Sequence, residues 1–221
     1  MTDTSRINTF SHTADPTFIS VDLEYTGQSP ADGEICSIGA IPLVNNFSSY
    51  EPDEDNTFYV NLEFEHPKVF RSNPETMDWW AQFPQQWEEH RANTVPILQG
   101  IRAFAEWAKT VSTKPIFVAW PAAADWQFVN YYMYKYLGEN PFGYSPVCIK
   151  NFALGVLHKP LALLGHREEA HMPDSWLIEP EQLGLRSHIA LDDAIAQAYM
   201  LRQILLDMKS GTFSFLTTPE S

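Results

Sequence analysis

Apolar positions recur every second residue early in the chain and at helical spacing later. In FISVDLEYTG, 18–27, Phe18, Ile19 and Val21 are β-formers and Thr26-Gly27 reads as a turn. EICSIGAIPLV, 34–44, is almost continuously apolar, the pattern of a buried strand. In TFYVNLEF, 57–64, Phe58, Val60 and Leu62 alternate with polar neighbours. Three short strands in succession predict an antiparallel meander, with an acidic, turn-rich segment at 45–56.

Helical spacing follows. Residues 66–90 read as loop and short helix with three Trp. Residues 96–111 predict an amphipathic helix with Ile97, Ile101, Phe104, Ala105 and Ala108 on one face. PIFVAW, 115–120, reads as a buried strand. Residues 125–137 read as a helix with Phe128, Val129, Tyr132 and Tyr136 on one face. Residues 146–158 predict a strand entering a helix, 158–186 a long functional or tied-down loop, and 187–208 the last helix. This order predicts an α/β fold, a mixed β-sheet flanked by α-helices. A single domain is expected over 17–208, with a polar arm at 1–16 and a tail at 209–221.

Composition narrows the function. The 221 residues suffice for one sizeable domain, and the formal net charge is −14. That charge argues against coating long nucleic acid, though not against gripping a few nucleotides at one end. The polar N-terminus and the lack of a long apolar run fit a cytoplasmic protein. Cys36 and Cys148 lie among apolar residues and read as buried free thiols.

The chemistry concentrates in acids. Asp22 and Glu24 are two apart on a strand, so they share a face. Two carboxylates there need water, cations or metal, and oxygen ligands suit Mg²⁺ or Mn²⁺. The plain alternative is a solvated strand end. Asp125 stands where a helix begins, which also fits an ordinary N-cap or first-turn acid. In the last helix Asp193 lies roughly 110° from the centre of the stripe Leu191, Ala194, Ile195, Ala198, Leu201 and Leu205, and Asp192 roughly 150° away, toward water. His188 falls in the first turn, where a plain surface histidine is the alternative.

Together these segments resemble the DEDDh (DnaQ-like) exonucleases of the RNase H-like superfamily. DLEYTG is similar to the family's Asp-x-Glu motif, the strand and link ending at Asp125 to its second, and HIALDD to its His-x-Ala-x-x-Asp motif. The resemblance spans roughly 17–207. Tyr25, Trp120 and Ala124 depart from common family residues, which bears on substrate preference. TMDWW, 76–80, resembles oligoribonuclease-like and phage exonuclease A-like members.

The resemblance implies a 3′→5′ exonuclease with two Mg²⁺ or Mn²⁺ ions, held by Asp22, Glu24 and Asp193 with Asp125 joining directly or through water. It implies His188 as general base, single-stranded RNA or DNA 3′ ends as substrates (RNA slightly favoured) and nucleoside 5′-monophosphates as products. A homodimer is compatible with it. Leu23, Tyr25, Thr26 and Gly27 are expected at the terminal nucleotide, and Trp79, Trp80 and Phe128 as stacking surfaces, against core packing for each aromatic. Lys150, Lys159, Arg167 and Arg186 are candidate phosphate contacts. The alternative is a catalytically silent nucleic-acid-binding module of the same fold.

Overall fold

The computed structural model describes residues 17–45, 49–66, 68–157 and 172–210. The strands are β1 (Thr17–Tyr25), β2 (Ile35–Asn45), β3 (Tyr50–Pro52), β4 (Phe58–Asn61), β5 (Pro115–Ala119) and β6 (Val147–Cys148). The helices are α1 (Pro74–Trp80), α2 (Pro84–His90), α3 (Ile97–Val111), α4 (Ala122–Leu137), α5 (Ile149–Val156) and α6 (Ala190–Ser210). The sheet order is β3-β2-β1-β5-β6, with β4 also paired to β2. Antiparallel β1–β2 and parallel β1–β5 and β5–β6 make it the mixed, helix-flanked sheet of the RNase H-like fold.

Alternation along β1 divides the molecule into two apolar clusters. Ile19, Val21 and Leu23 pack with Ile101 and Phe104 of α3 and Phe128, Val129 and Tyr132 of α4. The opposite face carries Ile41, Leu43 and Val118 against α5 and the α6 residues Ala194, Ala198, Leu201 and Ile204. Asp22 and Glu24 alternate with the first set, which turns them toward α6. In the β1–β2 register Asp22 lies opposite Gly39 and Glu24 opposite Ser37. A Cβ at Gly39 would come 2.2 Å from backbone atoms of Ala190, so only glycine lets α6 begin this close to the sheet.

Several boundaries differ from the expected ones. The segment 45–56 carries β3, whose Tyr50 packs on Phe18 at 5.2 Å, a tertiary contact that local turn chemistry does not reveal. The third expected strand ends at Asn61; Leu62 still donates its N–H to the Cys36 carbonyl of β2 and bridges to Val95. Helix α6 begins at Ala190 rather than 187 and runs to Ser210. Its buried face adds Ala190, Ala196, Gln197, Met200 and Ile204, while Leu191, Ile195 and Leu205 are half-buried. Of the expected stripe, Ala194, Ala198 and Leu201 are buried. Cys36 is buried as expected, Cys148 is half-buried, and both are free. The expected arm at 1–16 and the tail past Ser210 lie outside the described residues, as does most of the early part of the 158–186 loop. Among the described residues no helix is long and apolar enough to cross a membrane.

Candidate active site

Four carboxylates arrive from three elements. Strand β1 supplies Asp22 and Glu24, the first turn of α4 supplies Asp125, and the first turn of α6 supplies Asp193. Ligand oxygens of Asp22, Glu24 and Asp193 lie within 4.8 Å of one another. Among the described residues none of the four carboxylates forms an ion pair with Lys or Arg.

Three of them are oriented by neutral donors. Leu23 donates its backbone N–H to Asp125 Oδ1 at 3.1 Å, so Asp125 joins α4 to the neighbouring strand instead of capping its own helix. Ile189 donates its N–H to Asp193 Oδ2 at 3.1 Å. Gln197 donates from Nε2 to Asp22 Oδ1 at 2.7 Å, while its Oε1 accepts the Trp120 N–H at 2.9 Å. A backbone N–H can only donate, so the second bond fixes which end of the Gln197 amide faces Asp22.

Burial and crowding raise the proton affinity of the whole set. Asp22 is pushed well above the usual carboxylate range by burial, then by Asp125, Asp193 and Glu24, against the Gln197 hydrogen bond. Glu24 is raised by burial and by Asp193 and Asp125. Asp125 and Asp193 are pushed up to about 7, chiefly by burial. Concentrated carboxylates with no Lys or Arg paired to them are suited to a hard divalent cation, which would draw all four toward the ionised form.

His188 stands on the corner before α6, not within the helix. Its φ of 63° places a non-glycine residue in the left-handed region, which costs about 1–2 kcal/mol. Its imidazole sits edge-on to Trp79 at 4.7 Å and against Phe83 at 4.3 Å. Burial lowers its pKa, with Glu181 opposing. Its carbonyl oxygen lies 2.9 Å from Nε2 of buried His90.

A cavity of about 930 Å³ joins these groups. All four carboxylates and His188 line it, with Trp79 and Thr76 from α1, Trp120 and Lys150, and Gln197 and Met200 from α6. Leu23, Tyr25 and Gly27 border it as well.

The expected contact residues are placed differently from one another. Phe128 is fully buried and stacked on Tyr25 at 4.8 Å, so core packing removes it as a base platform. Trp80 lines the cavity but is 2% exposed and donates its indole N–H to the Tyr25 carbonyl, so it braces the wall. Trp79 beside it is 37% exposed and keeps a surface for stacking. Leu23 is 3% exposed with its side chain in the core, leaving little to wedge against a base. Thr26 is buried, and its backbone N–H, carbonyl and hydroxyl all bond within the protein. Arg186 is bound through two nitrogens to Glu89 and lies 3.8 Å from Asp192. Asp192 therefore does not simply face water: it accepts the Arg186 N–H, and its side chain is 16% exposed. Lys159 and Arg167 lie outside the described residues.

Gln197 and His90 escaped the sequence reading. Gln197 follows Asp193 by four residues on α6, a spacing that could have flagged it. His90 had no comparable signal, because its contacts come from residues distant in sequence.

With paired strand acids, an acid after the next parallel strand and a histidine and acid at the last helix on an RNase H-like sheet, the protein is by family a 3′–5′ exonuclease. More narrowly, the chain belongs to the family described as the 3′-5′ exoribonuclease Rv2179c-like domain, whose model matches residues 17–205. It is 30% identical over 190 residues to the 3′-5′ DNA exonuclease Cap18 of Escherichia coli, covering 85% of this chain and 90% of Cap18. Its fold is similar to the nuclease domain of 3′hExo, a DEDDh family member bound to rAMP. That match has a TM-score of 0.59 and 15% identity, over 86% of this chain and 92% of the other. It is also similar to E. coli Exonuclease I in complex with a dT13 oligonucleotide. There the TM-score is 0.55 and the identity 16%, over 90% of this chain and 43% of Exonuclease I.

Proposed function

We propose that the protein hydrolyses phosphodiester bonds one nucleotide at a time from the 3′ end of single-stranded nucleic acid, releasing nucleoside 5′-monophosphates. The observation that carries this reading is the convergence of Asp22, Glu24 and Asp193 ligand oxygens within 4.8 Å, with His188 lining the same cavity. In this reading those three acids would hold Mg²⁺ or Mn²⁺, and Asp125 with Asp22 would hold a second ion. Bound ions supply the charge that acidifies the attacking water and stabilises the departing 3′-oxygen. His188 takes the proton from that water as its oxygen bonds to phosphorus. The bond from phosphorus to the 3′-oxygen of the preceding nucleotide breaks, and that oxygen acquires a proton from solvent. A histidine whose pKa burial holds below its usual value is unprotonated at neutral pH, as a base must be.

Trp79 provides a stacking surface for a base near the scissile bond, and Lys150 borders the phosphate path. RNA is the preferred substrate in this reading, on the strength of the family described as exoribonucleases. The similarity to a DNA exonuclease favours a second reading, in which deoxyribose ends are taken as readily. Digestion of matched 5′-labelled single-stranded RNA and DNA in Mn²⁺ tests both, with Asp22→Ala as control. The expected result is a ladder shortened from the 3′ end, faster on RNA and absent in the control. An intact substrate with protein that still binds Mn²⁺ would refute hydrolysis and leave a binding module.

A further inference from the structure

His90 is a fully buried histidine with no place in the reaction above. Burial lowers its pKa to about 4, so the ring is neutral at ordinary pH. Nε2 lies 2.9 Å from the His188 carbonyl oxygen and Nδ1 lies 3.1 Å from Ser37 Oγ. The carbonyl can only accept, so Nε2 carries the proton and donates it. Nδ1 then accepts from the Ser37 hydroxyl, and the two partners together fix one tautomer. Ser37 sits on β2 directly opposite Glu24. A hydrogen-bonded chain thus runs from the strand beside the acids to the backbone of the corner that carries His188.

Helices α1 and α2 converge on the same corner. Trp79 and Phe83 contact the His188 ring, and Gln86 reaches the Ser187 carbonyl at 3.5 Å. Among the described residues the His188 ring itself makes no hydrogen bond, so its placement depends on its backbone and these aromatic contacts. The backbone is in the left-handed region, which a histidine does not adopt without support.

We propose that His90, with Ser37, is a positioning residue that holds the His188 corner so that the imidazole stays in the cavity the carboxylates line. This rests on the reading of His188 as general base. A purely apolar residue could fill the same space, yet it would leave the His188 carbonyl and the Ser37 hydroxyl without these partners.

The test compares kcat, KM and the Mn²⁺-induced rise in Tm for His90→Phe, His90→Gln, Ser37→Ala and His188→Ala, each on the full chain. His90→Phe is expected to lower kcat by on the order of 30-fold, the scale seen for residues that orient a reacting group. KM should stay within about threefold, because substrate and metal contacts are untouched. Glutamine keeps a donor for the carbonyl and should restore most of the lost kcat, whereas Ser37→Ala should cause a smaller loss. Unchanged kcat in His90→Phe, or no rescue by glutamine, would overturn the proposal. So would a joint loss of the Mn²⁺ response, since that marks collapse of the carboxylate site. If His90→Phe does not fold, a parental kcat in Ser37→Ala overturns it instead. His188→Ala separates the two claims: activity retained there refutes the base assignment itself. A dead His188→Ala beside an unimpaired His90→Phe refutes positioning alone.

Discussion

The acids and the histidine reach one cavity by different structural means. Asp22 and Glu24 ride on β1 where it pairs with β2, just past its parallel pairing with β5 over Thr17–Ser20, and Asp125 and Asp193 sit in the first turns of helices packed on that sheet. Their spacing is a property of regular secondary structure. His188 instead stands on a left-handed corner, after two three-ten turns at 174–176 and 180–183, and is held by α1 and α2. In the proposed reaction the metal-binding half is therefore built into the scaffold, and the proton-accepting half is held by a small set of separable contacts. Groups that must share ions need fixed separations. A base that meets a water delivered with substrate can be held more lightly.

That contrast can be broken most sharply at the acids. Asp22→Ala should reduce kcat by on the order of 10³-fold and abolish the rise of Tm with Mn²⁺, because in the proposed reading the residue would help hold both ions. A surviving Mn²⁺ response would show that the remaining carboxylates suffice, and the two halves would then differ less than their scaffolding suggests. Gln197→Met keeps the bulk but removes the donor to Asp22 and the acceptor for Trp120. Its expected effect is a 10- to 100-fold higher Mn²⁺ requirement, on the order found for outer hydrogen-bond partners of metal ligands, read from a titration of Tm. An unaltered titration would mean that the sheet alone sets the Asp22 rotamer.

The smallest effect concerns the metal-free protein. The folded site holds protons that the unfolded chain releases near pH 4, because the pKa values of all four acids are raised. Its contribution to stability is full below pH 4 and is lost as pH climbs to about 7. Without metal, Tm should fall across that interval, and saturating Mn²⁺ should flatten the fall at its upper end. A pH-independent Tm in EDTA would contradict the shared crowding of the acids.

The sequence revealed the acids better than their surroundings, and for a physical reason. A period of two along β1 and a helical period along α6 carry Asp22, Glu24 and Asp193 to one place, and those periods are written in consecutive residues. The strands β1, β2 and β5 and the helices α3 and α4 were legible on the same grounds. The short strand β3 was not, because its partner is the far end of β2 and its anchor is the contact between Tyr50 and Phe18. Phe128 and Trp80 read equally as stacking or as core residues, since composition does not distinguish an aromatic packed in a core from one offering a face to a cavity. The roles of His90 and Ser37 depend on contacts across 98 and 53 residues of chain, and no local pattern reports those.

Gly39 gives the acid cluster an unusual kind of gauge. Where most helices rest on a sheet through side chains that can repack, α6 starts with its backbone against the backbone of β2, opposite Asp22. Side-chain layers expand, contract and drift as core residues are exchanged over evolutionary time. Two main chains in contact have no such adjustable layer between them. The distance from Asp22 to Asp193 is thereby insulated from changes elsewhere in both apolar clusters. The core can vary in sequence and in stability while the separation that the chemistry needs stays constant.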